Sequence, residues 1–274
     1  MKSKLFVPAS RPELFPKADS SRADALSFDL EDAVAADDRP AARRNLAQWL
    51  KTAERRPGRR IIVRVNAPDT TDFLQDLQGL AGAPIDIINL PKVDHPDAVR
   101  QAVEAITAQG WQCPVLVNIE TAQGLRHAAE LAAAHPRVCG LQLGLGDLLE
   151  PLGIARYESD TLHGIMLSVR LAAGASGKYV MDAAYPDVGN ADGFRAEAAL
   201  SRRLGFLGKS CIHPSQVDIA NAVYAPGEAE VAQAERIVAA ARQAGRAAFL
   251  LDGKMIDPPF VRRAEDILLA AGRG

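Results

Sequence analysis

The stretch from Pro114 to Asp147 reads PVLVNIETAQGLRHAAELAAAHPRVCGLQLGLGD, and it contains two apolar runs separated by a helix-like segment. The first run, 115–119, is followed at once by Glu120, and the second, 138–145, is followed closely by Asp147. Continuous apolar runs of this length are typical of strands buried on both faces, as in a parallel sheet. Two successive βα units therefore place both acids on the same rim of a sheet.

Two carboxylates that face one another favour a cation, so Glu120 and Asp147 are candidate ligands of a metal ion. The alternative for either residue is a structural one, because an acidic residue at this point can cap the N-terminus of the following helix. The equivalent placement of the two acids, each at the end of a strand, favours the metal.

The composition indicates a globular protein without a nucleic-acid or membrane surface. The 274 residues are 48% hydrophobic and carry a formal net charge of -2, from 32 basic and 34 acidic residues. The apolar runs are interrupted by charge well before the roughly 20 residues that a membrane span needs. No targeting segment is evident at the start. Three cysteines, an odd number without metal-type spacing, are typical of a reducing cytoplasm.

Short β-rich runs alternate with amphipathic helical patterns along the chain. The runs cover residues 4–8, 25–30, 60–66, 85–93, 115–120, 138–145, 179–182 and 209–213. Eight βα units in about 220 residues predict a closed (β/α)8 barrel rather than a doubly wound sheet. A dinucleotide-binding fold is disfavoured because no G-x-G-x-x-G follows the first run. We assign residues 1–224 to the barrel and predict a C-terminal helical extension over residues 225–274.

In such a barrel the chemistry lies at the carboxyl ends of the strands, and polar residues collect there in this chain. These residues are Asp29, Glu31, Asp32, Arg64, Asn66, Lys92, Glu120, Asp147, Asp182 and His213. An anionic cluster that faces one arginine predicts a cation together with a carboxylate-bearing substrate. The planar fork of Arg64 suits such a carboxylate, although a structural ion pair with Asp29 or Glu31 is the alternative.

Two rival interpretations remain at this point. A Schiff-base aldolase needs a desolvated lysine on a barrel strand, and Lys92 is the only well-placed candidate. That route would not explain why two neighbouring strands end in acids. A non-catalytic scaffold is the rival of another class, and the intact set Arg64, Glu120 and Asp147 argues against it. No two histidines have ligand spacing, so we predict no zinc site.

An ordered set of short motifs resembles the citrate lyase β-subunit-like proteins of the HpcH/HpaI aldolase superfamily, which include malyl-CoA and citramalyl-CoA lyases. The motifs are LFVP at 5–8 with Arg11-Pro12, DLEDAV at 29–34, RVNAP at 64–68, LPK at 90–92, IETA at 119–122, GKSCIHP at 208–214 and DGKMID at 252–257. The resemblance covers nearly the whole chain. It implies a (β/α)8 barrel, usually assembled as a homotrimer.

The resemblance also implies an activity, the cleavage or formation of a 3-hydroxyacyl-CoA with Mg²⁺ as cofactor. Glu120 and Asp147 match the metal ligands, Glu120 also faces the substrate, and Arg64 matches the catalytic arginine that binds the substrate. The three acids of the DLED motif would lie further out, where they hold metal-bound waters or orient the arginine: Asp29, Glu31 and Asp32.

The expected substrates are an acyl-CoA thioester and a 2-keto acid. Arg11 and Lys17 match basic positions that bind the phosphates of coenzyme A, although both could be ordinary solvated residues. Asp257 matches the acid or base at the acyl α-carbon, and it is delivered by a tail that reaches a neighbouring subunit. Its alternative role is a helix cap. The segment 252–257 is interpreted as a loop pressed against a surface. Citryl-ACP lyase and malyl-CoA thioesterase activities remain alternatives.

Overall fold

The structure, a computed structural model, describes residues 1–245 and 247–273. The chain divides into two compact units, Met1–Val223 and a second unit that begins at Tyr224. None of the helices in the described ranges combines the length and the apolar character that a bilayer span requires.

The first unit is built on eight parallel strands that pair in sequence order, and the last strand returns to the first. The strands are β1 Ser3–Pro8, β2 Ala25–Asp29, β3 Arg60–Arg64, β4 Ile87–Leu90, β5 Val115–Ile119, β6 Val138–Leu143, β7 Tyr179–Asp182 and β8 Gly208–Cys211. Every residue of β2, β4, β5 and β8 is buried, as expected of parallel strands that are covered on both faces. The predicted closed (β/α)8 barrel is confirmed.

Helices follow the strands around the barrel. They are α1 Phe15–Ser20, α2 Arg39–Thr52, α3 Thr71–Gly79, α4 Pro96–Ala108, α5 Ala122–Arg126, α6 Ala128–Ala133, α7 Leu145–Leu149, α8 Ser159–Gly174, α9 Ala191–Arg203 and α10 Pro214–Tyr224. Short polar side chains cap the N-termini of three helices. The side chains of Thr70, Thr121 and Asn190 accept hydrogen bonds from backbone N–H groups in the first turns of α3, α5 and α9, respectively. The sequence predicts one helix after Glu120, but the structure has two that meet at His127.

The strands end earlier than the apolar runs suggest. For example, β4 ends at Leu90 rather than Val93, and β5 ends at Ile119 rather than Glu120. Residues 91–93 and Glu120 therefore lie in loops on the carboxyl rim of the barrel. Their polar groups can contribute to a site there because they are not used in strand pairing.

The second unit contains two helices and one hairpin. The helices, α11 Glu228–Ala244 and α12 Pro258–Ala270, pack through a small apolar cluster of Val231, Ala234, Val238, Ala264 and Leu268. The strands β9 Phe249–Leu251 and β10 Lys254–Ile256 pair in an antiparallel manner.

The interpretation of residues 252–257 as a loop is wrong, because most of that segment forms the turn and second strand of the hairpin. Asp252 and Gly253 both have positive φ, 52° and 75°. Two such residues form the tight turn that matches the twist of paired strands, and Asp-Gly is a favoured pair for it. The predicted extension is therefore helical only in part.

Candidate active site

A cavity of about 1030 Å³ opens where the carboxyl ends of the barrel strands meet. The predicted site residues in its wall are Asp29, Asp32, Arg64, Glu120 and Asp147. The structure therefore brings together four carboxylates and one guanidinium from four separate parts of the sequence, around residues 29–32, 64, 120 and 147.

Arg64 ends β3 opposite Asp29 of β2 in the parallel register. Its Nε and Nη2 donate to the two carboxylate oxygens of Asp29 at 2.7 and 2.6 Å, and Nη1 lies 2.9 Å from Oε2 of Glu31. Burial alone would lower the pKa of Arg64, but the charge and hydrogen bonds of Asp29, together with the charge of Glu31, raise it above its ordinary value. The ion pair that the sequence left as an alternative is formed, and Arg64 lines the cavity as well.

Lys92 follows β4 and is bound by two acids of the DLED motif. Its Nζ donates to Glu31 Oε1 and, at 2.8 Å, to Asp32 Oδ1. Burial alone would lower the pKa of Lys92, but the hydrogen bonds to Asp32 and Glu31 raise it above its ordinary value. An amine that is held in its protonated form is not a nucleophile, so the geometry disfavours the Schiff-base route.

Glu120 follows β5 and is almost completely buried. Its Oε1 accepts a hydrogen bond from the backbone N–H of Lys92 at 2.7 Å, and its Oε2 accepts one from Asn118 Nδ2 at 2.8 Å. Lys92 has a φ of 51°, which is uncommon for a residue other than glycine. Burial raises the pKa of Glu120, although the charge of Arg64 opposes this effect. A cation beside the carboxylate would offset the cost of burying its charge.

Gly144 leaves the space in which Glu120 lies. A Cβ atom at position 144 would be 2.6 Å from Glu120 Cβ and 2.8 Å from Oε2. Such approaches are shorter than van der Waals contact, so Glu120 can occupy this position only beside a glycine.

Asp147 lies in the first turn of α7, whose N-cap residue is Gly144. The cap of α5 is Thr121, so neither Glu120 nor Asp147 is a helix cap, and that alternative is wrong. Burial and the nearby charge of Asp32 raise the pKa of Asp147. The charge of Asp147 contributes in turn to the raised pKa of Glu120. A cation between the two acids would relieve this repulsion.

The donor set at this position fits Mg²⁺. Within residues 1–245 and 247–273, no group of three or more histidine, cysteine or acidic side chains is arranged to hold a metal ion. The candidate ligands are the two carboxylates of Glu120 and Asp147, which share one cavity wall. Mg²⁺ is typically held by one or two carboxylates and completes its six oxygen ligands with water and substrate. Glu120 and Asp147 both line the cavity, and the absence of a side chain at Gly144 leaves room for the Glu120 carboxylate.

Some predicted residues lie elsewhere. Arg11 pairs with Glu13 on the surface, Lys17 is exposed on α1, and neither lines the cavity. Asp182 is completely buried in an ion pair with Lys209, at 2.7 Å, rather than facing the cavity. The binding of coenzyme A phosphates by Arg11 and Lys17 stays a prediction.

Asp257 occupies the N-cap position of α12 in the second unit. Its side chain makes no capping hydrogen bond, and its Oδ1 is buried without a hydrogen-bond partner among the described residues. The capping role is therefore not fulfilled by this carboxylate, and the catalytic role stays a prediction.

Sequence reasoning missed several polar residues of the cavity wall, among them Asn118, Gln142 and Arg156. Asn118 and Gln142 lie within apolar strands. The sequence does carry a signal for them, because burying an amide costs free energy unless it is hydrogen-bonded, so an amide in an apolar run indicates a role. Arg156 lies in a loop, where its Nη2 donates to the carbonyl of Ala184 at 2.5 Å and pairs with Glu197 at 2.8 Å. No sequence pattern distinguishes it from a surface arginine.

Comparison with known proteins identifies relatives over the whole chain. Residues 2–214 match the family model described as HpcH/HpaI aldolase/citrate lyase. The chain is 40% identical to a (3S)-malyl-CoA thioesterase of Cereibacter sphaeroides, over 98% of this chain and 94% of the relative. It is 34% identical to the L-malyl-CoA/beta-methylmalyl-CoA lyase of Rhodobacter capsulatus, over 97% and 93% respectively.

Solved structures agree with these relatives. The protein CitE of Mycobacterium tuberculosis, in complex with magnesium, acetoacetate and coenzyme A, superposes with a TM-score of 0.81 at 36% identity. The match covers 98% of this chain and 97% of the CitE chain. The resemblance predicted from the motifs is confirmed, and this chain belongs to the HpcH/HpaI aldolase/citrate lyase family.

Proposed function

We propose that this protein is a Mg²⁺-dependent carbon–carbon lyase that acts on a 3-hydroxyacyl-CoA such as malyl-CoA or citramalyl-CoA. The products of cleavage, or the substrates of condensation, are acetyl-CoA and a 2-keto acid. The observation that carries the proposal is the pair Glu120 and Asp147 in one cavity wall beside Arg64. The relatives named as malyl-CoA lyase and the CitE complex with magnesium and coenzyme A support it.

The reaction moves charge along a short path. The hydroxyl group on the third carbon gives up its proton, and a carbonyl forms there as the bond between the second and third carbons breaks. The bonding pair moves to the second carbon as a thioester enolate, which then takes a proton to become the acyl-CoA. Condensation is the reverse, so the site must stabilise an oxyanion at each end.

The residues of the cavity suit these demands. Glu120 and Asp147 would hold Mg²⁺, which when bound orients the hydroxyl and carboxylate oxygens of the substrate and lowers the hydroxyl pKa. Arg64 would pair with the substrate carboxylate through charge-assisted hydrogen bonds. Asp29 holds the plane of the Arg64 guanidinium by two parallel hydrogen bonds, so the fork is oriented before a substrate arrives.

The remaining elements of the proposal concern assembly. We assign the proton transfer at the acyl α-carbon to Asp257 of a neighbouring subunit in a homotrimer, and the phosphates of coenzyme A to Arg11 and Lys17. The exposed pair Leu250 and Met255, opposite one another on β9 and β10, supports contact between the hairpin and another surface. A cytoplasmic location is supported by the odd number of cysteines.

A second candidate is hydrolysis of the thioester. The relatives that are 40% identical over nearly the whole chain are named (3S)-malyl-CoA thioesterases, and this observation favours malyl-CoA as the substrate for either reaction. Hydrolysis would release malate and free coenzyme A, whereas the lyase reaction releases glyoxylate and acetyl-CoA. Citryl-ACP cleavage is a further alternative, since a structural relative is named citrate lyase beta subunit.

Mass spectrometry of the products distinguishes these functions. Malyl-CoA, citramalyl-CoA and citryl thioesters are incubated with the protein in Mg²⁺ or in EDTA. We expect acetyl-CoA and a keto acid from one thioester, with no turnover in EDTA. Malate and free coenzyme A would favour the thioesterase, and turnover in EDTA would exclude the metal mechanism. Mg²⁺ binding should disappear in Glu120→Ala and Asp147→Ala while the circular dichroism spectrum stays unchanged.

A further inference from the structure

A chain of buried amides connects the wall of the barrel to Glu120. Asn89 of β4 is completely buried, and Asn118 of β5 and Glu120 are each 2% exposed. Asn89 Nδ2 donates to the carbonyl of Leu116 at 3.0 Å and to Asn118 Oδ1 at 2.7 Å. Asn118 Nδ2 then donates to Glu120 Oε2 at 2.8 Å. The register of β4 and β5 places Asn89 opposite Leu116.

One backbone carbonyl fixes the orientation of both amides. A carbonyl oxygen only accepts, so Asn89 must present its NH₂ group to Leu116. The same NH₂ group faces Asn118, which must present its oxygen in return and therefore turns its own NH₂ group towards Glu120. A reversed Asn118 would place its oxygen against a carboxylate oxygen, two acceptors without a proton between them.

The carboxylate of Glu120 is consequently held from two sides. Asn118 donates to Oε2, and the backbone N–H of Lys92 donates to Oε1. One donor on each oxygen fixes the rotation of the carboxylate plane. Both donors also favour the ionised carboxylate over the protonated acid. The Lys92 contact depends on the main chain, whereas the Asn118 contact depends on the side chain of Asn89.

We propose that Asn89 is a positioning residue for Glu120, that it acts through Asn118, and that it raises the affinity of the site for Mg²⁺. This inference rests on the proposed function, in which Glu120 holds the metal ion. Asn89 does not line the cavity, so its effect on the metal has to pass along the chain of amides.

Two substitutions of Asn89 and one control test the inference. Asn89→Leu removes the donor to Asn118 while it keeps a side chain of similar size. Asn89→Asp keeps the shape of the side chain but offers only acceptors when it is ionised. Asn118 must then turn its NH₂ group towards residue 89 and its oxygen towards Glu120. Ser27→Ala is the control, because Ser27 is also completely buried in a barrel strand and its hydroxyl has no partner among the described residues.

Titration calorimetry with MgCl₂, without substrate, gives the affinity of each folded variant. We expect Ser27→Ala to match the wild type and Asn89→Leu to bind about 10-fold more weakly, the lower end of the usual range for residues that orient a ligand. Asn89→Asp should bind more weakly still. The Mg²⁺ concentration for half-maximal activity should follow the same order.

Equal Mg²⁺ affinity in the wild type, Asn89→Leu and Asn89→Asp would overturn the inference, whatever their thermal stabilities. If Asn89→Leu does not fold, Asn89→Ala removes the same donor without bulk and is measured in its place. The wild type and Glu120→Gln are titrated first. An absence of Mg²⁺ binding in the wild type, or equal binding in Glu120→Gln, would contradict the proposed function itself rather than the role of Asn89.

Discussion

At the scale of single residues, the guanidinium of Arg64 shows why charge alone does not define this site. It makes two parallel hydrogen bonds to Asp29 and faces Glu31 with a further nitrogen. An ammonium group cannot reproduce this planar arrangement. We expect Arg64→Lys to lower kcat/KM by on the order of 10²-fold, the effect of removing one positioned donor. Arg22→Lys, in an exposed pair with Asp218, is the control, and near-normal turnover of Arg64→Lys would return Arg64 to a structural role.

Gly144 provides a steric test of the metal site. A methyl group at position 144 would lie 2.6 Å from Glu120 Cβ, whereas a Cβ at Gly146 meets nothing within 4 Å. Gly144→Ala should therefore displace Glu120 and weaken Mg²⁺ binding by about 10-fold or more, on the scale of other changes that misorient a ligand. Gly146→Ala should bind Mg²⁺ as the wild type does. Calorimetric titration compares the two, and equal affinities would show that Glu120 is not the ligand affected.

Lys4 gives a prediction of pH-dependent stability. It is completely buried in β1, its Nζ lies 4.1 Å from the centre of the Phe6 ring, and burial lowers its pKa well below the ordinary value. The unfolded chain has a lysine pKa of about 10.4, so below that pH unfolding takes up a proton that the folded state does not bind. The stability of the wild type therefore falls as the pH is lowered from about 10 towards the folded-state pKa.

Lys4→Met removes this proton uptake. Its gain in the free energy of unfolding over the wild type should be larger at pH 7 than at pH 10. Urea unfolding at the two pH values measures the difference. An equal gain at both pH values would mean that Lys4 is charged in the folded protein.

At the scale of elements, α2 and α3 are joined by a buried ion pair. Arg43 Nε donates to Asp76 Oδ1 at 2.6 Å, and their side chains are 7% and 0% exposed. Asp76 also accepts hydrogen bonds from Asn66 in the loop after β3. Arg43→Met leaves the Asp76 carboxylate buried without its cation, which should destabilise the protein by about 3 to 5 kcal/mol.

The control for this prediction is Arg100→Met on α4. Arg100 pairs with Asp97 three residues away, and both side chains are largely exposed. Such surface pairs contribute about 0 to 1 kcal/mol. Urea unfolding of the two variants should separate them clearly, and a small loss in Arg43→Met would show that Asp76 is solvated.

The sequence predicts the order of the elements better than their ends. Most of the buried parallel strands leave an apolar run that reveals them, but the run continues into the loop and hides the last paired residue, as at Leu90. The hairpin at Asp252–Gly253 carries a local signal, since this pair favours the tight turn, and the loop interpretation overlooks it. The break at His127 carries none, because it interrupts a continuous helix-like pattern at one residue. Local propensity does not resolve such positions.

The polar residues of the cavity wall are predictable from the sequence where they follow strands and hidden where they lie within strands. Glu120 and Asp147 each interrupt an apolar pattern at its end, so the sequence reveals them. Asn118 lies inside a strand, and its role depends on Asn89, 29 residues earlier, which becomes a neighbour only through the parallel register of β4 and β5. Contacts of this kind carry no signal in a single sequence.

At the scale of the whole molecule, the proposed trimer makes a prediction about shared sites. If Asp257 acts in a neighbouring subunit, Asp257→Ala should bind Mg²⁺ and substrate but hardly react, and Glu120→Ala should be inactive for want of the metal. Mixing the two inactive proteins and allowing subunit exchange should restore part of the activity. A monomeric active enzyme in sedimentation analysis, or mixed oligomers without recovered activity, would contradict a shared site.

The closure of the barrel has a consequence for synthesis on the ribosome. The strand β1 pairs with β2 on one side and with β8 on the other, so its second edge stays without a partner until Gly208–Cys211 has emerged. An open strand edge is a template for pairing with another chain. The unfinished sheet therefore has two open edges during most of translation, one on β1 and one on the strand formed last. We expect this chain to depend on chaperones that bind nascent chains. The dependence should be greater than that of a protein of equal length whose strands pair early with neighbours in sequence.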